Sequence, residues 1–576
     1  MNMYENYKKW LDSPIVDNDT KEELKAIVGN EKEIAARFAV PMEFGTAGLR
    51  SIMTAGTSRM NVYTVAHNTA GLAKLILDVG SAAASRGVAI AYDSRINSTL
   101  FARTAAEVLA ANGIKVYFFD SLRPTPELSF AILELGCIAG INITASHNSK
   151  EYNGYKVYWE DGAQLPPDHA KVVSESVASM DIFADVKRTD FDKAVSDGLI
   201  KIIGKEIDER YMEEILKCRI CPEATEVFGD SLNIIYSPLH GAGYKLVPEV
   251  LKRAGITNLR IVPSQAEPDG NFPTVKSPNP ENKECFADAI NLAINDGGEC
   301  DLMLATDPDS DRVGIVAKDS NGFYVPFSGN QVGALLIDYI IKGRREKNQL
   351  PENACAIKSV VSSELFDAVC AANGVKSMNV LTGFKYIGEK IKEFEQTGEH
   401  TFIFGYEESY GYLPGTYARD KDAVATSLLI AEMTAFYKKK GITLYEALTE
   451  AYEKYGYYKE SGISIVVGGI DPMKTMREKM TALRGELFGE IAGIEVLRVR
   501  DYKSSTVTNM ADGATSPTGL PASDMLYYEL ADGSMFIIRP SGTEPKIKVY
   551  ILGKGTSDED VKSKLEALTA FAKESI

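Results

Sequence analysis

A strand, a helix and a second strand follow one another in residues 87–119, GVAIAYDSRINSTLFARTAAEVLAANGIKVYFF. Residues 87–92 form an apolar run with β-branched members that ends at Asp93, which is typical of a buried strand. Residues 98–112 are rich in Ala and Leu and predict a helix, and residues 114–119 predict the next strand. This alternation is typical of α/β domains with largely parallel sheets.

The same alternation restarts twice downstream. Further strands are predicted at residues 232–236, 259–262, 302–306, 356–361 and 401–405. The last part of the chain differs and predicts an α+β domain. It has strand candidates at residues 463–467, 495–499, 535–539 and 546–551, a long polar loop at 504–523 and a closing helix at 558–573. At this length we expect roughly three to five domains.

The composition excludes several classes of protein. The chain has 576 residues, too many for one hydrophobic core, and its 45% apolar and 25% charged residues are ordinary for a globular protein. No run approaches the roughly 20 apolar residues of a membrane span, and no signal peptide opens the chain, so we expect a cytoplasmic protein. A net charge of −17 argues against nucleic-acid binding but not against a small anionic substrate.

Three carboxylates alternate in the segment Asp307-Pro308-Asp309-Ser310-Asp311-Arg312, directly after a predicted strand. In open α/β sheets ligands bind at this end of the strands. Three like charges so close together repel one another unless a cation neutralises them, and carboxylate ligands suit a hard cation such as Mg²⁺. An EF-hand is excluded, because its sixth loop position would be Arg312 and not Gly. An acidic surface turn is the alternative.

A second motif is Thr144-Ala145-Ser146-His147-Asn148, which follows the apolar run at residues 138–143. Small polar residues after a buried strand are typical of an active-site loop, in which Ser146 can be an activated hydroxyl. Shortly downstream, Asn153-Gly154-Tyr155-Lys156 predicts a turn that presents a lysine. Ordinary hydrogen bonding within a loop explains the serine equally well when it is taken alone.

A third motif, at residues 539–546, reads RPSGTEPK. A guanidinium, two hydroxyls, a glycine and a lysine within eight residues are typical of a phosphate-binding loop. The alternative is a plain β-hairpin turn.

A fourth motif, Gly405-Tyr406-Glu407-Glu408-Ser409-Tyr410-Gly411, also follows a predicted strand. Its carboxylates and hydroxyl can bind sugar hydroxyls, and its aromatic rings can cover the face of a sugar. A plain strand-to-helix turn remains the alternative.

Together, and in their order along the chain, the four motifs resemble those of the α-D-phosphohexomutase family, and the resemblance covers nearly the whole chain. The resemblance implies four domains around a central cleft: three related α/β domains with mixed sheets, at residues 1–205, 206–325 and 326–455, and a C-terminal α+β domain at residues 456–576. It implies Mg²⁺ held by Asp307, Asp309, Asp311 and a phosphate oxygen on Ser146. It implies catalytic roles for Arg50, Ser146, His147, Lys156 and Lys385. It implies substrate binding by Arg312, Thr382, Gly383, Glu407, Ser409, Arg539, Ser541, Gly542 and Thr543.

The activity that the resemblance implies is transfer of a phosphoryl group within a sugar phosphate. Phospho-Ser146 would give its phosphoryl group to a sugar monophosphate, and the bisphosphate formed would turn and return its other phosphate. The motif at 405–409 is similar to that of glucose-type members, which implies interconversion of glucose 1-phosphate and glucose 6-phosphate through glucose 1,6-bisphosphate. Pentose or mannose phosphates stay open as substrates. A sugar phosphatase and a binding protein without catalysis are the rival functions.

Overall fold

The structure of the chain is a computed structural model, and it describes residues 2–42, 48–295, 297, 299–468, 471–541 and 545–576. The chain divides into two units. The first unit comprises Met1–Pro326, Gly388–Glu393 and Gly411–Gly441. The second unit comprises Phe327–Ile387, Phe394–Tyr410 and Ile442–Ile576. The four domain boundaries that we drew from the sequence stay a prediction.

The helices and strands are numbered in chain order. In the first 205 residues the helices are α1 (Met3–Asp12), α2 (Asn18–Lys25), α3 (Glu31–Phe38), α4 (Val62–Val79), α5 (Ser81–Arg86), α6 (Ser98–Ala111), α7 (Thr125–Leu135), α8 (Pro167–Ser179) and α9 (Phe191–Ser196). The strands there are β1 (Leu49–Ile52), β2 (Val88–Tyr92), β3 (Val116–Phe119), β4 (Ala139–Ile143), β5 (Tyr152–Trp159) and β6 (Ile200–Ile203).

The middle of the chain continues the numbering. Its helices are α10 (Lys205–Lys217), α11 (Pro222–Phe228), α12 (Gly243–Arg253), α13 (Ala287–Asn295), α14 (Gly329–Glu346), α15 (Glu364–Ala372), α16 (Lys385–Thr397), α17 (Ala423–Lys439) and α18 (Leu444–Tyr455). Its strands are β7 (Ile234–Ser237), β8 (Leu259–Ile261), β9 (Leu302–Thr306), β10 (Val313–Lys318), β11 (Tyr324–Pro326), β12 (Ala354–Ser359), β13 (Lys376–Val380), β14 (Thr401–Glu407) and β15 (Gly411–Leu413).

In the last part of the chain, the described residues form two helices and eight strands. They are α19 (Pro472–Gly485), α20 (Asp558–Ser575), β16 (Tyr457–Val466), β17 (Glu490–Ile491), β18 (Ile494–Asp501), β19 (Thr506–Asn509), β20 (Thr515–Pro517), β21 (Leu526–Leu530), β22 (Met535–Pro540) and β23 (Lys546–Gly555).

The first sheet has the strand order β1-β5-β4-β2-β3-β6. The segment β2-α6-β3 is the predicted strand–helix–strand unit, and its strands pair in parallel with Val88 opposite Val116. Strand β4 also runs parallel to β2, whereas β5 pairs antiparallel with both β4 and β1. The prediction of a turn at residues 153–156 was therefore wrong, because these residues lie inside β5 and Lys156 pairs with Asn142. The sheet is mixed, as the resemblance implied.

The second sheet repeats this plan in the order β11-β10-β9-β7-β8. Strands β8, β7 and β9 are parallel, and β10 and β11 add an antiparallel edge. All five residues of β9 are buried, which agrees with the continuous apolar run in the sequence. The connection between β9 and β10 is the segment with the three aspartates.

The second unit holds two further sheets. Strands β13, β12 and β14 pair in parallel in that order. The C-terminal sheet is antiparallel, in the order β16-β23-β22-β21-β18-β19-β20. The expected loop at residues 504–523 contains β19 and β20, which pair with Thr506 opposite Pro517, so the prediction of a loop throughout was wrong there.

Helix α17 returns to the first unit, although it lies more than 90 residues after β11 in the chain. Its residues from Ala423 to Tyr437 are all buried, and it packs against α11 and α12. An apolar helix that is buried on every side belongs to a core. The segment just before it, residues 419–422, is consequently fixed within the first unit.

Candidate active site

The serine loop begins where β4 ends. Thr144 donates a hydrogen bond from its hydroxyl to Asp93 Oδ2 (2.6 Å) and accepts one from the backbone N–H of Ser146 (2.8 Å). Ser146 is 3% exposed, and its φ of 51° lies in the left-handed region. Its hydroxyl donates to Asp307 Oδ2 at 2.8 Å. The structure thus brings together the serine and the first of the three aspartates, which are 161 residues apart in the sequence.

The three aspartates are buried, with Asp307 and Asp309 fully covered and Asp311 1% exposed. One carboxylate oxygen from each residue lies within 4.8 Å of the others. Asp307 Oδ1 accepts hydrogen bonds from the backbone N–H groups of Asp311 and Arg312, which fixes the loop. Burial excludes the alternative of an acidic surface turn.

The electrostatics of the triad favour a bound cation. Burial, together with the charges of Asp309 and Asp311, raises the pKa of Asp307 well above its usual range. Burial also acts to raise the pKa of Asp309, but the ammonium group of Lys156 outweighs it and holds that pKa below its usual value. Among the described residues, Asp309 Oδ1 and Asp311 Oδ1 have no hydrogen-bond partner. Buried carboxylate oxygens without partners are costly, and a hard divalent cation would satisfy them.

Two lysines lie against the triad. Lys156 Nζ is 2.7 Å from Asp309 Oδ2 and 3.3 Å from Asp311 Oδ2. Burial acts to lower the pKa of Lys156, but Asp309 and Asp311 outweigh it and raise that pKa. A lysine that acts as a general base needs a lowered pKa, whereas the pKa of Lys156 is raised.

Lys421 is the second lysine, and the sequence reasoning missed it. Its Nζ lies 2.7 Å from Asp311 Oδ2, and the side chain is buried. The neighbouring Asp420 accepts a hydrogen bond from Tyr158 (2.8 Å), and Asp422 accepts one from Tyr211 (2.7 Å). The only sequence signal is the run of four charged residues at 419–422 directly before an apolar helix.

Three further predicted residues surround the serine. Arg50, on β1, donates to Asn148 Oδ1 at 2.7 Å. His147 Nδ1 is 3.1 Å from Ser146 Oγ, and burial together with the charges of Arg312 and Arg50 lowers the pKa of His147 well below its usual value. Arg312 forms an ion pair with Glu281 at 2.6 Å. Gly45, Thr46 and Ala47, which precede Arg50 in the chain, lie outside the described residues.

A second group of predicted residues lies in the second unit. The carboxylate of Glu407, at the end of β14, accepts a hydrogen bond from the backbone N–H of Gly383 at 2.6 Å. Thr382 precedes Gly383, and Lys385 begins α16. Ser409 follows β14 and is partly exposed. The structure thus brings Glu407 together with the loop at 382–385.

The rest of the motif at 405–411 is structural in part. Glu408 accepts a hydrogen bond from Ser359 (2.8 Å). Tyr406 is fully buried and donates to Asn330 (3.2 Å), and Tyr412 is 1% exposed. The suggestion that aromatic rings of this motif cover a sugar face is therefore wrong for Tyr406, which does not reach the surface.

The C-terminal motif joins the antiparallel strands β22 and β23. Arg539 lies on β22 opposite Lys548, and the backbone N–H of Ser541 donates to Lys546 O at 2.8 Å. The backbone is thus a β-hairpin connection, which does not exclude phosphate binding at its tip. Gly542 and Thr543 lie outside the described residues.

Models of one protein family match most of the chain. They are described as phosphoglucomutase/phosphomannomutase alpha/beta/alpha domain I (residues 41–182), domain II (209–322), domain III (328–455) and the C-terminal domain (497–568). No helix in the described ranges is sufficiently long and apolar to span a bilayer.

Full-length relatives and solved structures match as well. A phosphoglucomutase of Staphylococcus haemolyticus is 36% identical over 95% of this chain and 96% of its own length. A phosphoglucomutase of Staphylococcus aureus strain MRSA252 is 37% identical over 92% of this chain and 93% of its own. The structure of the phosphoglucomutase parafusin from Paramecium aligns with a TM-score of 0.67 at 17% identity, covering 93% of this chain and 96% of that one. At that identity the likeness concerns the fold alone.

Proposed function

Because the chain belongs to the phosphoglucomutase/phosphomannomutase family, we propose that it interconverts glucose 1-phosphate and glucose 6-phosphate with Ser146 as the phosphate carrier. One observation carries this proposal: the hydroxyl of Ser146 lies 2.8 Å from Asp307, within a buried group of three carboxylates. A serine beside a cation site is suited to hold a phosphoryl group, whose charge the cation offsets. The names of the relatives at 36–37% identity support glucose as the sugar.

The three aspartates fit a divalent metal, and Mg²⁺ is the ion we propose. Asp307, Asp309 and Asp311 would hold it, with a phosphate oxygen on Ser146 as a further ligand. When bound, Mg²⁺ would offset negative charge on the transferring phosphoryl group. Two buried carboxylate oxygens, Asp309 Oδ1 and Asp311 Oδ1, have no hydrogen-bond partner in the described chain, which supports this assignment.

The residues of the first unit supply the transfer. Phospho-Ser146 gives its phosphoryl group to a free hydroxyl of the sugar monophosphate: the bond from phosphorus to Ser146 Oγ breaks, and a bond to the sugar oxygen forms. The proton of the sugar hydroxyl ends on Ser146 Oγ. His147, whose Nδ1 lies 3.1 Å from that oxygen, is placed to carry the proton there. Arg50 and Arg312 supply positive charge to the equatorial oxygens of the phosphoryl group.

The lysines have a different role. Lys156 lies 2.7 Å from the carboxylate of Asp309 and Lys421 lies 2.7 Å from that of Asp311, so the two lysines fix the orientation of Asp309 and Asp311. Charged hydrogen bonds of this kind are short and directional. Both lysines are thus suited to orient metal ligands, and Lys156 stays protonated beside two carboxylates.

A second group of residues supplies the proposed recognition of the sugar and of the phosphate that does not react. Glu407 and Ser409 would bind sugar hydroxyls, with Thr382, Gly383 and Lys385 beside Glu407. Arg539, Ser541, Gly542 and Thr543 would bind the distal phosphate. The reaction requires that these phosphate-binding residues accept the bisphosphate in two orientations. Glucose 1,6-bisphosphate is the proposed intermediate, and it is also the proposed primer that first loads Ser146.

The experiment is a substrate panel with the mass of the intact protein as a second readout. We expect glucose 1-phosphate to give the highest kcat/KM among glucose, mannose, ribose and deoxyribose 1-phosphates. We expect one phosphate on the wild-type protein and none on Ser146→Ala, which should lose turnover, whereas Ser176→Ala removes a buried hydroxyl of α8 and should keep both. A preference for a pentose refutes the sugar assignment, and full turnover by Ser146→Ala refutes the carrier. Release of inorganic phosphate at the rate of turnover identifies a phosphatase.

A further inference from the structure

A buried arginine lies beneath the serine loop. Arg95 follows β2 and is 3% exposed. Its Nη2 donates to the backbone carbonyls of Ser146 and Asn148, both at 2.5 Å. Its Nη1 donates to the carbonyls of Ser149 (2.9 Å) and Tyr152 (3.1 Å). One guanidinium group thus donates hydrogen bonds to four carbonyl oxygens within seven consecutive residues.

An aspartate joins this arginine to the other side of the loop. Arg95 Nε lies 3.2 Å from Asp93 Oδ2, and both side chains are fully buried. The same oxygen of Asp93 accepts the hydroxyl of Thr144, which in turn accepts the N–H of Ser146. The backbone of Ser146 is therefore held at its carbonyl by Arg95 and at its N–H through Asp93.

These hydrogen bonds hold Ser146, whose backbone conformation is unfavourable. The φ of 51° at Ser146 is uncommon for a residue with a Cβ, and such a conformation persists where the surroundings fix it. With the carbonyls of the loop turned toward Arg95, the Ser146 side chain is left to face Asp307 at 2.8 Å. The planar, five-donor guanidinium suits this task, whereas a lysine has three donors at a single atom.

Arg95 also contacts the segment between β8 and β9. Its guanidinium carbon lies 5.0 Å from the centre of the Phe272 ring, within the range of a cation–π contact. The residues that follow this segment lead into β9 and then to the aspartates. One side chain therefore touches both the loop that bears the serine and the part of the fold that bears its acidic partners.

We propose that Arg95 is a positioning residue for phosphoryl transfer, which keeps Ser146 Oγ at the aspartates both with and without its phosphoryl group. This inference rests on the proposed role of Ser146 as carrier. A carrier must accept and release its phosphoryl group at one place, so a loop that moved between the two states would lose alignment. Misplacement of a reacting atom by about 1 Å can cost about 10²-fold in rate.

The test compares two changes at Arg95 with a matched control. Arg86→Lys is the control, because Arg86 also donates to two backbone carbonyls (Gly136 and Cys137) and pairs with a carboxylate, Glu160, away from the serine. We expect Arg95→Lys to slow phosphoryl transfer from glucose 1,6-bisphosphate to Ser146 by about 10²-fold, with the KM for glucose 1-phosphate changed less than about threefold. Arg86→Lys should leave both values near those of the wild type.

Chemical rescue separates positioning from a general loss of structure. Arg95→Ala opens a space lined by carbonyls and Asp93, and added guanidinium ion should restore the transfer rate at least tenfold, whereas urea, which has the same shape without charge, should not. If Arg95→Ala does not fold, Arg95→Lys decides the question. A transfer rate in Arg95→Lys equal to that of Arg86→Lys overturns the inference. A wild-type protein that never takes up phosphate overturns the carrier proposal instead, so the two failures are distinct.

Discussion

Thr125 offers a sharp test of the metal site, because it holds the middle aspartate without being a proposed ligand. It is fully buried at the start of α7. Its backbone N–H donates to Asp309 O and its hydroxyl to Asp309 Oδ2, both at 2.8 Å, while the hydroxyl accepts from Asn142 Nδ2 (2.6 Å). The change Thr125→Val removes the hydroxyl, keeps the shape and leaves the backbone bond in place.

The magnitude follows from the loss of the hydrogen bond to Asp309. A hydrogen bond to a charged group contributes about 1.5–3 kcal/mol, and each 1.4 kcal/mol is a factor of ten in an equilibrium constant. If the lost bond serves to orient Asp309, then Mg²⁺ affinity should fall by about 10–100-fold, the range typical for residues that orient metal ligands. Lys156 still holds Asp309 Oδ2 at 2.7 Å, so we expect weaker binding and not its abolition.

The assay is calorimetric titration of Mg²⁺ into the dephosphorylated protein. Thr125→Ser retains the hydroxyl and should bind within about threefold of the wild type. Thr434→Val makes the same chemical change at a buried threonine of α17 whose hydroxyl donates to Ile430 O, and it should leave the affinity unchanged. Equal Mg²⁺ affinity for wild type and Thr125→Val would refute the reasoning, as would an equal loss in Thr125→Ser.

Three further changes test other parts of the structure. Lys421→Met should weaken Mg²⁺ binding by about 10–100-fold, because the ammonium group that orients Asp311 is lost; an unchanged affinity in calorimetry contradicts this role. Glu432→Ala removes the buried carboxylate that accepts hydrogen bonds from Arg219 (2.8 Å) and from the backbone N–H groups of Ile220 and Cys221, and it should lower the free energy of unfolding by about 3–5 kcal/mol, measured by urea denaturation against Glu432→Gln; a loss below about 1 kcal/mol contradicts it. Burial raises the pKa of Glu460 to about 6, so its stabilising effect is complete below pH 4.5 and is lost as the pH rises through 6, by up to about 2 kcal/mol. Glu460→Gln should therefore raise the thermal midpoint at pH 7.5 relative to wild type but not at pH 4.5, and an equal difference at both pH values contradicts the assignment.

The sequence predicts the elements whose pattern is local. The apolar run at residues 302–306 gave β9 with its observed bounds, and the alternation around residues 87–119 gave a parallel strand pair joined by a helix. The dipeptide Asn153-Gly154 favours a turn by local preference, yet these residues lie within β5. Pairing with two neighbouring strands outweighs that preference, and no local pattern reports it.

The candidate site divides in the same way. The three aspartates and Ser146 stand out because each follows a buried strand in a short polar cluster, and the structure brings them together. Lys421, Arg95 and Thr125 were not predicted. Lys421 reaches Asp311 across 110 residues of chain and Thr125 reaches Asp309 across 184, so only the packing of separate elements creates their contacts. Arg95 is ordinary in sequence because its partners are backbone carbonyls, which every residue has.

Helix α17 has a consequence for how the chain is made on the ribosome. The chain leaves the first unit after Pro326. Apart from the short segment Gly388–Glu393, it returns to that unit only at residues 411–441, which contain this buried helix. At about 5–20 residues per second, synthesis of residues 327–441 takes roughly 6–23 s. During that time the apolar faces of α11 and α12 that α17 will cover stay open to solvent. The nascent chain therefore exposes apolar surface until α17 has been synthesised. We expect it to bind a chaperone during that interval.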